Sequence, residues 1–131
     1  MLILTIRTSE PTAEIGLFTD NNEQLGYECW EAHRQLADSI HLKIKRLLAQ
    51  QHQQLSAIGG IVCFQGPGSF TGLRIGLSVG NGLSYSLQIP IVGTKGKNWI
   101  TKGIKILHKK PDHRPIMPEY GAPVHITPPR K

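Results

Sequence analysis

The chain has 131 residues, a formal net charge of +6 and 39% hydrophobic residues, which suits one domain with a modest hydrophobic core. No apolar run approaches the roughly 20 residues that a membrane-spanning helix requires, and the start of the chain does not resemble a secretory leader. Its two cysteines, Cys29 and Cys63, have no further thiol at metal-binding spacing, so we expect a cytoplasmic protein without a disulfide.

Three short strands are predicted at the beginning of the chain. Residues 2–6 form an apolar run rich in branched side chains, and residues 15–18 form a second apolar run. Residues 19–22 read Thr-Asp-Asn-Asn and tolerate the left-handed backbone of a turn, so residues 24–29 can return as a third strand. This pattern predicts an antiparallel meander.

An amphipathic helix is expected from about Ala32 to Gln51, followed by a fourth strand. The apolar residues of the helix recur at helical spacing with mostly polar residues between them: Leu36, Ile40, Ile44, Leu47 and Leu48. Residues 55–64 then return to strand character. We therefore expect a helix that packs by one face, and a buried strand after it.

A glycine-striped helix is predicted after this strand. Gly72, Gly76 and Gly80 lie four residues apart beyond the Gly-Pro-Gly turn at 66–68, and Ser69 is suited to cap the helix. Because each interior glycine costs on the order of 1 kcal/mol relative to alanine, the stripe indicates that another backbone comes close. That neighbour is either the first helix or the sheet of the same chain, or a partner.

The apolar residues of this helix also favour a second contact. They are spread too widely for one buried stripe: Leu73, Ile75, Leu77, Val79 and Leu83. Some of them are therefore expected to remain exposed for a partner, since an apolar patch with a polar rim is typical of an interface.

A fifth strand and a third helix complete the expected fold. The glycine-striped helix should end at about Leu87, and residues 89–92 form a buried strand. The third helix is marked by apolar residues on one face: Trp99, Ile100, Gly103, Ile104 and Leu107. The order βββαβαβα predicts an α/β fold with a mixed five-stranded sheet and packed helices, as in ribonuclease-H-like and actin-like ATPase lobes, over residues 1–109.

Residues 110–131 are expected to form an extended, proline-rich basic tail laid over the body. From Lys95 onward nine basic residues stand against two acidic ones, a net +7, whereas the first 94 residues carry six against seven, a net −1. Such an end can contact RNA, and Lys109, Lys110 and Arg114 are the candidate residues. It has few aromatics to stack on bases.

Four segments resemble the TsaB (YeaZ) family. The sequence GPGSFTGLRIGLS at residues 66–78 resembles the family's signature, and His-Arg-Gln-Leu at 33–36 resembles the opening of its first helix. Residues 57–64 resemble its central strand and residues 89–93 the strand after the glycine-striped helix. The resemblance covers residues 1–107. Family members usually carry a second lobe after this region, so the chain is expected to be a short form in which the basic tail replaces that lobe.

The resemblance implies a non-catalytic subunit of the machinery that makes threonylcarbamoyladenosine in tRNA. Its first two helices would bind and stabilise the catalytic homologue, TsaD, which uses threonylcarbamoyl-adenylate and tRNA, and an ATPase, TsaE, would join the complex. The chain would hold no cofactor and could form a homodimer when alone. The candidate partner-binding residues are His33, Leu36, Ile40, Phe70, Gly72, Leu73, Gly76 and Gly80.

The residues that catalysis would need do not assemble in the sequence. Where relatives commonly have an Asp before Thr-Ser, this chain has Arg7. Arg7 is a cation at a position where a metal ion or phosphate-bound magnesium would need a ligand. Gly72 is followed by Leu73 instead of the lysine of a phosphate-binding loop. The six histidines lack metal-binding spacing. We therefore expect no catalytic or metal residues, and we keep an RNA-binding module and a degenerate hydrolase or peptidase as alternatives.

Overall fold

A computed structural model describes residues 1–31, 36–68, 70–109 and 114–117, with Phe70 described by its backbone alone. A short 3-10 helix at Leu55–Ala57 precedes the fourth strand, and the strands and longer helices follow the predicted order. They are β1 (Leu2–Arg7), β2 (Thr12–Thr19), β3 (Gln24–Glu31), α1 (Leu36–Gln50), β4 (Ile58–Phe64), α2 (Phe70–Leu87), β5 (Ile91–Thr94) and α3 (Trp99–Lys109).

The five strands form one mixed sheet in the order β3-β2-β1-β4-β5. The first three strands are antiparallel neighbours, whereas β4 runs parallel to β1 and β5 runs parallel to β4. Helical crossovers account for the parallel half, because a strand that leaves a sheet through a helix returns in the same direction. The predicted α/β fold with a mixed five-stranded sheet is confirmed.

The helices pack on both faces of the sheet because neighbouring side chains along a strand point to opposite sides. On one face Leu4 and Ile6 of β1 share a core with the buried residues of α1 and with Leu77 of α2. On the other face Ile3 of β1 packs with α3. None of these described helices combines the length and the apolar character that a bilayer crossing needs.

Several predicted strand boundaries were wrong by two or three residues, among them the starts of the fifth and fourth strands. The fifth strand begins at Ile91 rather than at Ile89, because the Ile89 N–H still bonds to the Ser84 carbonyl at the end of α2 and Pro90 has no N–H to give to a ladder. The fourth strand begins at Ile58 rather than at Leu55, where the chain makes a 3-10 turn. The proposed cap residue Ser69 lies outside the described residues.

The turn between β4 and α2 depends on a glycine backbone. Gly66 has a φ of +134°, in a region that residues with a Cβ rarely adopt. The turn carries the chain from the sheet to the first residues of α2 and so sets where that helix begins. This geometry accounts for a Gly-Pro-Gly sequence at the join.

Candidate partner-binding surface

An open groove runs between α1 and α2 on the outer side of the helix pair. Its first part has a volume of about 400 Å³ and is lined by Ala37, His41, Thr71, Arg74, Ile75, Ser78 and Val79. A second part of about 380 Å³ shares three of these residues and continues along α2 to Gly82, Leu83 and Ser86. We call these two parts together the helix groove.

The position of the groove follows from the way in which each helix is seated. In α1 the residues that face the sheet include Leu36 and Ile40, so Ala37 and His41, one position later, are turned by about 100° toward α2 and solvent. In α2 the half-buried Ile75 and Val79 lie next to the glycines that face the sheet. The groove therefore has an apolar floor and a polar, basic rim that includes His41 and Arg74.

The glycine stripe brings α2 onto the ends of the sheet. A Cβ atom added at Gly76 would overlap the Thr8 side chain, and one added at Gly80 would lie 2.5 Å from the Cys63 Sγ atom. The Thr8 hydroxyl donates a 2.7 Å hydrogen bond to the Gly72 carbonyl. The close neighbour that the stripe predicts is therefore the chain's own sheet. The sequence had left the first helix, the sheet and a partner open as possible neighbours.

Most predicted partner-binding residues are internal packing residues in this fold. Leu36, Ile40 and Leu73 are 5%, 0% and 0% exposed, and Gly76 and Gly80 face the sheet. These five residues are buried and cannot contact a partner while the lobe keeps this structure. Partner binding through the first two helices stays a prediction. The residues that α1 and α2 leave accessible for such a contact are those of the helix groove.

Three predicted partner-binding residues remain. His33 and the side chain of Phe70 lie outside the described residues, and Gly72 is half-buried. Ala37 and His41 were not among the predicted site residues, although each lies one position after a residue of the buried series in α1. A helical-wheel projection would have placed them beside the core instead of opposite it.

Arg7 occupies the carboxyl end of the parallel strands, where ligands of open α/β sheets commonly bind. Its guanidinium carbon lies 4.3 Å from the centroid of the Phe64 ring, and its Nε donates a 3.0 Å hydrogen bond to the Ser9 hydroxyl. The carboxylates of Glu10 and Glu14 lie 3.4 and 4.0 Å away. The cation is thus held by the fold, with its charge balanced by neighbouring acids.

The candidate metal-binding and RNA-binding residues are described only in part. In the part of the chain that the structure describes, no three or more His, Cys, Asp or Glu residues form a group that could hold a metal ion. Lys109 and Arg114 are exposed, and Lys110 lies outside the described residues. Their proposed contact with nucleic acid stays a prediction.

Comparison with known proteins gives the family. The family model described as TsaD, tRNA N6-adenosine threonylcarbamoyltransferase, matches residues 22–118. The tRNA threonylcarbamoyladenosine biosynthesis protein TsaB of Escherichia coli is 31% identical over 94 residues. A solved structure of YeaZ from Pseudomonas aeruginosa is 30% identical, with a TM-score of 0.62. The chain belongs to the TsaB/YeaZ family. The resemblance seen in the glycine-rich signature is thereby confirmed.

The match covers only part of these TsaB/YeaZ relatives. The alignment with the E. coli protein takes in 71% of this chain and 39% of the relative, and that with the solved YeaZ takes in 72% of this chain and 45% of the other. A tRNA N6-adenosine threonylcarbamoyltransferase of Geotalea daltonii is 37% identical over 62 residues, or 18% of its length. The shared part has the α/β fold with a mixed five-stranded sheet that the element order predicts.

Proposed function

We propose that this protein is a non-catalytic subunit in the biosynthesis of threonylcarbamoyladenosine in tRNA. Its role is to bind and stabilise a TsaD-type catalytic subunit through the helix groove, in the cytoplasm, where a TsaE-type ATPase and tRNA join the complex. The observation that carries the proposal is the groove itself. Its apolar floor lies between two helices that are otherwise anchored to the sheet.

The shape and chemistry of the helix groove suit a helical partner. Two neighbouring helices with small residues at their facing positions, here Ala37, Ser78 and Gly82, allow a third helix to approach closely. The half-buried Ile75 and Val79 provide apolar surface, and His41 and Arg74 can meet acidic residues of the partner at the rim. The result would be a helical bundle.

The choice of a TsaD-type partner rests on likeness between the two subunits. The TsaD family model matches residues 22–118, which include both α1 and α2. A protein of that family therefore has a comparable helix pair, and two comparable surfaces can pack about a pseudo-twofold axis, as in isologous dimers. The same argument allows a homodimer when the partner is absent.

The non-catalytic part of the proposal rests on Arg7. Phosphoryl transfer and metal-assisted hydrolysis require carboxylates or other anionic ligands that hold a divalent cation. At the carboxyl end of β1 the chain presents a guanidinium group that stacks on Phe64. This cation would repel a metal ion and offers no base.

A pair of matched substitutions tests the interface. Ser78→Trp puts a large ring into the groove, whereas Thr101→Trp puts the same ring on an exposed position of α3, on the other side of the sheet. With a TsaD protein from the same organism, we expect Ser78→Trp to weaken the association by roughly 100-fold and Thr101→Trp to leave it unchanged. Calorimetry gives the affinities, and circular dichroism checks that both variants fold. Equal affinities for folded Ser78→Trp and wild type would refute the interface.

A further inference from the structure

A short segment of the C-terminal region lies in a corner between α2 and β5. Residues 114–117 have neither helical nor strand structure. Residues 114–116 line a cavity of about 430 Å³ together with Ile91, Val92, Gly93 and Ile106. Ile116 is half-buried and packs against the core under α1 and α2. We call this corner the docking slot.

The docking slot binds the main chain of the segment through side-chain amides. The Ile116 N–H donates a 2.8 Å hydrogen bond to Oδ1 of Asn81, and the Nδ2 of Asn81 donates a 3.0 Å hydrogen bond to the Ile116 carbonyl. The Gln65 Nε2 donates a 2.7 Å bond to the Met117 carbonyl. A neighbouring strand would satisfy a peptide backbone in the same manner, so the slot recognises an extended chain.

The slot also has a place for one apolar side chain. A Cβ atom added at Gly93 would lie 2.5 Å from Cγ2 of Ile116 and 3.0 Å from Oε1 of Gln65. The missing side chain at Gly93 therefore makes room both for Ile116 and for the amide that holds the next residue. Asn81, Gln65 and Gly93 come from three different parts of the fold, and they converge on two residues of the segment.

We propose that this corner is a docking site for an extended segment with a branched apolar residue, occupied by residues 114–117 of the same chain. Docking holds residues 114–117 beside α2, on the flank away from α1. Asn81 is three residues from Ser78 and four from Tyr85, so it adjoins the exposed stripe of α2. The chain is then anchored to α2 at Ile116.

Hydrogen exchange on the full chain tests the anchor. The Ile116 amide should exchange at least roughly tenfold more slowly than an unprotected amide, because its N–H bonds to Asn81. Asn81→Ala should remove that protection while α2 and the sheet keep theirs. Fast exchange of the Ile116 amide in the wild-type chain, or unchanged protection in Asn81→Ala, would overturn the proposal.

Two glycine-to-alanine variants separate docking from a general effect on helix or strand. Gly93→Ala fills the slot and should release Ile116, whereas Gly82→Ala, which meets nothing within 4 Å, should leave the exchange of Ile116 unchanged. If both variants or neither of them release Ile116, the shape of the slot does not hold the segment.

Competition with a synthetic peptide of residues 112–119 tests recognition. In the full chain carrying Ile116→Asp the slot should be empty, and the peptide at about 1 mM should shift the NMR signals of the Asn81 side-chain amide. The wild-type chain, whose slot is occupied, should show no shift. Equal shifts in both chains, or none in the variant, would contradict a slot that is filled in cis.

Discussion

Individual glycines in α2 have different roles that depend on what lies beside each Cα atom. Gly76 faces Thr8, which is 2% exposed and is fixed by its bond to the Gly72 carbonyl. Gly82 is exposed, with nothing within 4 Å of the place where a Cβ would lie. The same residue type is thus required at one position of the helix and dispensable at another.

This difference predicts opposite effects of one substitution. Gly76→Ala should destabilise the fold by about 1–3 kcal/mol through overlap with Thr8. Gly82→Ala should be neutral or stabilise it by up to about 1 kcal/mol, because alanine is the better helix former. Urea unfolding of both variants measures these changes. A Gly76→Ala variant as stable as wild type would show that α2 is not closely seated on β1.

The two cysteines differ in burial and hence in chemistry. Cys63 is 1% exposed, and burial raises the pKa of its thiol from 9.0 to about 12, whereas Cys29 is exposed. A thiol reagent at pH 8 should therefore label one cysteine in the native protein and two after denaturation, with the native label on Cys29. Native labelling of Cys63, identified by peptide mapping, would contradict the packing of β4 under α2.

The same burial makes stability depend on pH. The pKa of the Cys63 thiol is higher in the folded state than in the unfolded chain. The stability that the neutral, buried thiol contributes to the fold is therefore fully present below pH 9 and is lost as the pH rises toward 12. The unfolded chain releases the proton first. Wild type should lose up to about 1.4 kcal/mol per pH unit in this window relative to Cys63→Ala. Parallel pH slopes of the two proteins in denaturant titrations would show that the thiol does not ionise differently on unfolding.

At the scale of elements, α3 shows how one helix divides its isoleucines between core and solvent. Ile104 is 0% exposed and packs with Val62 and Val92 of the sheet, whereas Ile106 is 42% exposed. Gly103 lets the helix come close to Val62, because a Cβ there would overlap that side chain. The helix is therefore held by one face and leaves the other in water.

Two isoleucine-to-alanine variants measure this division. Ile104→Ala should cost about 2–4 kcal/mol because it removes buried methyl groups and leaves a cavity. Ile106→Ala should change stability by less than about 1 kcal/mol. Thermal or urea unfolding gives both values. Similar losses for the two variants would mean that α3 is turned relative to the sheet.

At the scale of the whole molecule, the sheet holds two regions apart from each other, the proposed partner surface and the surroundings of Arg7. The helix groove lies on the α1 and α2 side, and Arg7 lies at the carboxyl end of the parallel strands. A subunit that works by binding needs only the first region. In the second region the cation has carboxylate neighbours, and a guanidinium group is not a ligand for a metal ion.

The guanidinium group of Arg7 predicts weak binding of magnesium-bound nucleotides. We expect no ATPase activity and no magnesium-dependent ATP binding in the micromolar range, because a guanidinium group offers Mg²⁺ no ligand. Titration calorimetry of the purified chain with ATP, with and without magnesium, measures this. Micromolar affinity that disappears when magnesium is removed would count against a purely structural subunit.

The sequence by itself determined the order of the elements, the strand directions and the family. The periodicities of α1, α2 and α3 and the turn residues at 19–22 and 66–68 are local signals, and they need no knowledge of distant residues. Only the tertiary structure decided which side of α2 meets Thr8 and Cys63, which side lines the helix groove, and that Asn81 holds Ile116. These contacts join residues far apart in the chain, so no local pattern encodes them. The partner role of Leu36, Ile40 and Leu73 is implied by the family resemblance, whereas in this fold the three side chains are buried.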